Sequence, residues 1–329
     1  MKKYLSLLLC LCCLALCACK GNTEKQLTPV TLNEVAHSVF YAPMYVAIEN
    51  GYFTEEGIDL TLVTGFGADK TMTALVSGEA DIGFMGTESS IYAYAEGAKD
   101  YAVNFAQLTQ RAGNFLVARE AMPDFKWSDL KGHTVLGGRA GGTPQMIFEY
   151  ILRENGIDPK NDLSINQSID FGSTAAAFSG GQGDFTVEFE PSATALEKDS
   201  KGYVVASLGV DSGYVPYTAF SAKKSYLEKH PEIIQSFTNA LQKGMDYTAS
   251  HTPSEIAAVI APQFSDTDLS TITTIVTRYY DQDTWKSDLI FTEESYNLVT
   301  DILKQAGVLE KDVPYKDLVT CTYAEEAVH

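Results

Sequence analysis

The chain has 329 residues, 45% of them hydrophobic and 20% charged, which suits a soluble globular protein of one or two domains and argues against disorder. Its formal charge is −19, from 24 Lys and Arg against 43 Asp and Glu. No nucleic-acid partner is expected, because binding a phosphate backbone requires a basic footprint.

The first elements read as an address. Lys2 and Lys3 precede an almost purely apolar run from Tyr4 to Ala18, too short to cross a bilayer core of ~30 Å as a helix. The run ends in Leu16-Cys17-Ala18-Cys19 and gives way to the polar Lys20 to Lys25. This resembles a bacterial lipobox, although Cys17 stands where Ala, Ser or Thr is usual. The resemblance implies cleavage before Cys19, lipidation of its thiol and tethering to the outer face of the cell membrane, with a cleaved signal peptide and released protein as the alternative. The expected division is signal peptide 1–18, tether 19–28, lobe 1 over 29–116 plus 220–329, and lobe 2 over 117–219. Five of the six cysteines lie at or before Cys19, so Cys321 stands alone in the body of the chain, with no partner for an internal disulfide.

After the tether, strands and helices alternate. Val30–Val35, Ile58–Val63, Asp81–Met85 and Val103–Leu108 read as strands. Helices are expected over Met44–Asn50, opened by Pro43 and stopped by Gly51, over Ala68–Ser77 before Gly78, and over Thr87–Ala95. The middle of the chain repeats the plan with strands at His133–Leu136, Leu163–Gln167 and Phe185–Glu188 and helices at Pro144–Arg153 and Thr174–Phe178. Glu49-Asn50-Gly51 is echoed by Glu154-Asn155-Gly156, and Gly78-Glu79-Ala80-Asp81 by Gly181-Gln182-Gly183-Asp184. Asn114–Arg119 and Tyr217–Ala222 read as segments crossing between the halves, and helices at Lys223–Glu228, Pro231–Tyr247, Pro253–Ile260, Asp268–Tyr279 and Glu293–Gln305 are expected to pack on the first half. The expected fold is α/β with two lobes, each a mainly parallel sheet flanked by helices, joined by two crossing hinge strands.

Tyr41-Ala42-Pro43-Met44-Tyr45-Val46-Ala47, Asn50-Gly51-Tyr52-Phe53 and Gly57-Ile58-Asp59 resemble the opening of solute-binding proteins of ABC importers. The group is the nitrate/sulfonate/taurine and thiamine-pyrimidine-like family with the type 2 periplasmic-binding-protein fold. Gly78–Gly83, Asp129–Val135 and Glu190-Pro191 fit the same family. The resemblance implies a monomeric, non-catalytic receptor that closes on a small organic solute and hands it to separate permease and ATPase chains, with no cofactor. Pyrimidine synthases resemble the family too, but they use a cysteine-rich motif that this chain lacks beyond its leader. A surface sensor on the same fold is a further alternative.

Ligands of open α/β lobes sit beyond the carboxyl ends of the strands, near helix N-termini. That rule selects His37 and Ser38 after the first strand, with His37 set either to donate to a ligand or to cap the loop. Tyr41 is a stacking face or a hydrophobic staple. Phe66, between Gly65 and Gly67, either stacks on the ligand or packs between lobes. Thr87 and Glu88 open a helix after the third strand, where Thr87 also suits an N-cap. In the second half the strand-to-helix turn Gly137–Thr143 offers Arg139, Gly141 and Thr143, without the ending of a phosphate-binding P-loop. Ser173 begins another helix, Glu190 follows a strand, and Tyr217 opens the returning segment. Glu88 and Glu190 facing inward favour a solute rich in N–H donors, such as a nitrogen heterocycle. Arg139 and the helix N-termini favour a sulfonate, taurine or nitrate instead.

Overall fold

Two five-stranded sheets repeat one strand plan. The computed structural model describes residues 27–169 and 171–327. The signal peptide, Cys19 and most of the tether lie outside the described residues. The first sheet contains β1 (Thr28–Glu34), β2 (Ile58–Thr64), β3 (Ile82–Gly86), β4 (Ala102–Gln107) and β10 (Thr218–Lys223), in the order β2-β1-β3-β10-β4. The second contains β5 (Asn114–Ala118), β6 (Thr134–Leu136), β7 (Ser164–Asn166), β8 (Phe185–Phe189) and β9 (Tyr203–Ser207), in the order β7-β6-β8-β5-β9. In each sheet the first three strands of that order are parallel, and the fourth is antiparallel and arrives from the other sheet. The chain passes between sheets over 108–113 and returns over 208–217. By sheet membership, Asn114–Leu116 go with the second lobe and Thr218-Ala219 with the first.

Local chemistry accounts for the crossovers. Helix α1 (Ala42–Glu49) starts with Pro43 in its first turn and ends before Gly51, whose φ of 74° lies in the left-handed region. Helix α2 (Ala68–Ser77) links β2 to β3, and α3 (Glu88–Ala95) links β3 to β4. The second lobe answers with α4 (Thr143–Glu154), α5 (Phe171–Ser179) and α6 (Ser192–Lys198). Strands β3, β4 and β5 are buried along their whole length, as expected of strands covered on both faces.

The C-terminal helices α7 (Pro231–Ser250), α8 (Pro253–Ile260) and α9 (Leu269–Asp281) pack on the first lobe, α7 and α8 lying against α1. Helix α10 (Glu293–Gln305) also reaches α4 of the second lobe. Helix α7 lies close on α1 because Gly244 carries no side chain. A Cβ there would run into the carbonyl oxygen of Pro43 and meet Ala47 Cβ at 3.1 Å. Gly244→Ala is therefore expected to destabilise by roughly 1–3 kcal/mol through overpacking, against about 1 kcal/mol gained in helix propensity. A denaturant midpoint at or above that of the parent chain would contradict this packing.

One apolar core runs through both lobes, and aromatic rings concentrate where they meet. Phe84 and Phe220 stack at 4.1 Å inside the first lobe, and Tyr41 lies edge-on to Phe84 at 4.5 Å. Phe40 touches Tyr41, Tyr217 and Tyr279, and approaches Phe189 of the second lobe at 6.4 Å. Among the described residues no helix is long and apolar enough to cross a membrane. Cys321 is half-buried, with its thiol against the carbonyl oxygen of Phe291 and the hydroxyl of Tyr315.

Candidate functional site

The site is built from the ends of β3 and β8, the start of α4 and the two crossing segments. Glu88 is the first residue of α3 and is buried. Its carboxylate folds back over Gly86, where an added Cβ would collide with both oxygens. Oε2 accepts no hydrogen bond within the protein. Desolvation raises the pKa of this carboxyl, and the nearby hydroxyl and amide of Thr143 only partly offset it. Thr143 opens α4 in the opposite lobe, and its buried hydroxyl has no well-formed hydrogen bond. The Glu88–Thr143 approach therefore spans the two lobes.

The aromatic residues complete this patch. Tyr217 is buried edge-on to Phe40 at 5.6 Å and near Phe189 at 6.3 Å, and its hydroxyl makes no hydrogen bond. Burial raises the pKa of Tyr217 well above the phenol range, with Tyr41 and Glu88 adding to the effect. Tyr41 is shifted upward by burial and by the Glu34 and Glu88 charges. The Thr87 hydroxyl donates to the carbonyl oxygen of Pro216 at 3.2 Å, fixing the α3 turn to the returning segment. Ser38 donates to the carbonyl oxygen of Glu190 at 3.2 Å and so joins the first lobe to the second.

The remaining sequence-selected residues have other surroundings. His37 uses both ring nitrogens, on Glu34 Oε1 at 2.8 Å and on the carbonyl oxygen of Gln263 at 2.8 Å, and packs against Tyr45 and Phe264. Its pKa is raised chiefly by the hydrogen bond to Glu34. The Glu190 carboxylate is fully buried and accepts from the amide and hydroxyl of Thr194 at 2.9 and 3.0 Å. It also pairs with Arg278 at 2.7 Å. Arg139 is mostly exposed and reaches Asp69 at 3.3 Å across the surface. The Gly141 amide donates to Gln145 Oε1 at 3.0 Å. Phe66 is 77% exposed with a φ of 57°, and Ser173 is exposed on the first turn of α5.

The structure thus brings Ser38, Tyr41, Thr87, Glu88, Thr143 and Tyr217 to the junction of the lobes. Phe66, Arg139 and Ser173 stay at the surface. His37 and Glu190 meet protein partners, so of the two expected acceptor carboxylates only Glu88 keeps an oxygen without one. Asn114, opposite Phe189, also belongs to this junction; the sequence marks it only as the start of a segment crossing between the halves, and it is not among the residues selected there. Among the described residues no group of His, Cys, Asp and Glu is arranged to hold a metal ion.

The family model described as NMT1/THI5 like matches residues 39–256. The chain belongs to the NMT1/THI5-like family. The junction residues from Phe40 to Tyr217 fall inside that stretch, and Ser38 immediately precedes it. The chain is 46% identical over 312 residues to YtlA of Bacillus subtilis (strain 168), covering 95% of this chain and 93% of YtlA, whose name calls it a binding protein only provisionally. Among solved structures it resembles the alkanesulfonate-binding protein SsuA from Xanthomonas axonopodis pv. citri bound to MOPS. The TM-score is 0.72 at 16% identity, over 89% of this chain and 98% of that one. It also resembles the periplasmic nitrate-binding protein NrtA from Synechocystis PCC 6803, with a TM-score of 0.74 at 15% identity over 92% and 89% of the two chains. At these identities the likeness is one of fold, the two-lobed architecture of periplasmic binding proteins.

Proposed function

We propose that this protein captures a small organic solute between its lobes and presents the closed, loaded form to a membrane permease driven by a separate ATPase. The carrying observation is a group of buried polar atoms at the junction that make no hydrogen bond of good geometry: Glu88 Oε2 of one lobe facing Thr143 Oγ1 of the other, the Tyr217 hydroxyl, and the Asn114 carboxamide at the start of β5. Such groups are costly to bury, and a ligand that pairs with all of them is stabilised and holds the lobes together. The family and the likeness to SsuA and NrtA support this role. Lipidation at Cys19 would tether the receptor to the extracytoplasmic face of the membrane, and a single copy suffices to form the site.

For the solute we favour a planar nitrogen heterocycle. Glu88 is a pure acceptor when ionised and lies near Tyr41 and Tyr217, the latter edge-on to Phe40, which suits a ring bearing N–H donors. A sulfonate or nitrate is the second reading, supported by what SsuA and NrtA are named for. It would set an anion against the buried Glu88 carboxylate.

Thermal unfolding with aminopyrimidines, taurine, alkanesulfonates and nitrate separates the two. A solute at ~100 times its dissociation constant stabilises by roughly 2.7 kcal/mol, worth several degrees. The expected result is a shift with the heterocycles that falls at least tenfold in apparent affinity in Glu88→Gln. Binding is also expected to weaken in mildly acidic solution, where the raised pKa lets Glu88 protonate ahead of ordinary glutamates. A shift with sulfonates alone that survives Glu88→Gln would overturn this choice of solute.

A further inference from the structure

Asn114 is a buried residue whose side chain the fold leaves unexplained. It is the first residue of β5, immediately after the 108–113 crossing, and is fully buried. Neither Oδ1 nor Nδ2 makes a hydrogen bond within the protein. The antiparallel register sets it opposite Phe189, so the two side chains share one face of the second sheet. Phe189 is the second-lobe ring that lies near Tyr217 and Phe40. The preceding residue, Gly113, sits so close to Phe40 that a Cβ would come within 2.6 Å of its ring. Asn114 is therefore placed at the same aromatic patch as Glu88 and Tyr217, and on the hinge.

Resting on the solute-binding reading above, we propose that Asn114 is a solute-recognising residue and that the solute presents to it one N–H donor beside one acceptor. A carboxamide carries an acceptor and a donor side by side, and both are unpaired here. The complementary edge is amide-like or amidine-like: a lactam, or a ring nitrogen next to an amino group. An anion offering acceptors alone pairs with Nδ2 and leaves Oδ1 facing another oxygen, so Asn114 selects against sulfonates independently of Glu88. Its position adds a mechanical role. A solute bridging Asn114 at the joint of the second lobe to Glu88 in the first is bound well only when the hinge is in its closed setting, which is the differential affinity that closure requires.

In the absence of any solute, a buried carboxamide with both ends unpaired is poorer than an apolar side chain of similar volume. Asn114→Leu, with Asn114→Val as the second variant should leucine overfill the site, is expected to raise the unfolding midpoint of the empty protein by a few degrees. The same variants are expected to weaken at least tenfold the midpoint shift that millimolar 4-aminopyrimidine gives the parent protein. Pyrimidine, which lacks the amino donor, is expected to shift neither. If both variants unfold below the parent when empty, Asn114 is an ordinary structural residue and the proposal falls. If they keep the parent's response to 4-aminopyrimidine, or if the parent itself does not respond to it, the recognition role falls. In the first of those cases the solute-binding reading stands, because its own test is the response of Glu88→Gln. A response of the parent to taurine or methanesulfonate alone would overturn both the edge assigned to Asn114 and the choice of a heterocycle.

Discussion

Arg278→Ala is expected to cost about 3–5 kcal/mol and to lower the unfolding midpoint on the order of 10 °C, because it strips the cation from a carboxylate that is fully buried. Arg278 lies on α9 of the first lobe and donates through Nη1 to Glu190 Oε1 at 2.7 Å and to the Thr194 hydroxyl at 3.1 Å. Its other nitrogen, Nη2, pairs with Glu197 on α6. Both carboxylates belong to the second lobe, so one side chain fastens the lobes together beside the hinge. Lys198 repeats the crossing to Asp268 at 3.3 Å, but both members of that pair are about half exposed and little is expected of it. Removing Arg278 leaves the Glu190 charge with only the Thr194 amide and hydroxyl. Pairing Arg278→Met with Glu190→Gln is expected to recover most of the loss, since the uncompensated charge is then gone. Small-angle scattering is expected to find the empty Arg278→Ala protein more expanded than the parent, as the lobes are freed to open. A midpoint within a degree of the parent, with unchanged dimensions, would show that the pair contributes nothing to closure.

This clamp also explains why the sequence is a better guide to the fold than to the site. Turn chemistry is local: Pro43, Gly51, Gly78 and Asn155-Gly156 mark element ends from their own backbone preferences, and α2, α8 and α10 fall where the pattern puts them. The repeated motifs correctly imply two lobes of one plan. Strand β9 escapes because it is a half-exposed edge strand of five residues, and α6 because it is short and follows Pro191 directly. The fate of a polar side chain is decided by distant partners instead. Glu190 and His37 look as free in sequence as Glu88. Each has one partner close in sequence, Thr194 for Glu190 and Glu34 for His37, but the partners that complete the set, Arg278 and Gln263, are 88 and 226 residues away. Arg139 is drawn aside by Asp69, 70 residues away on the other lobe. Glu88 and Thr143 remain because strand-to-helix turns in opposite lobes converge, which the rule of strand carboxyl ends anticipates. Asn114 carries no sequence signal beyond its place in a hinge strand. Only the three-dimensional tally of hydrogen bonds reveals that both ends of its amide are unmet.

The second large effect concerns a carboxyl that the solute reading does not use. Glu188 on β8 is buried, accepts from the Thr186 hydroxyl at 2.6 Å and is also hydrogen-bonded by Thr174 of α5. Desolvation outweighs these two hydroxyls and pushes its pKa up from 4.5 to about 7. Between pH 4.5 and 7 the folded chain holds a proton at Glu188 that the unfolded chain has lost, so stability is greatest below the unfolded value and declines as pH rises through the folded one. At roughly 1.4 kcal/mol per pKa unit, full ionisation costs about 3 kcal/mol. Glu188→Gln keeps the shape and an acceptor for Thr186 without the charge. It is expected to match the parent near pH 4 and to exceed it by about 2–3 kcal/mol above pH 8. Urea midpoints of both proteins across that range measure the difference, in which contributions from Glu88 and other titrating groups cancel. Parallel profiles would mean that Glu188 titrates alike in the folded and unfolded chains, which is incompatible with a carboxyl sealed between β8 and α5.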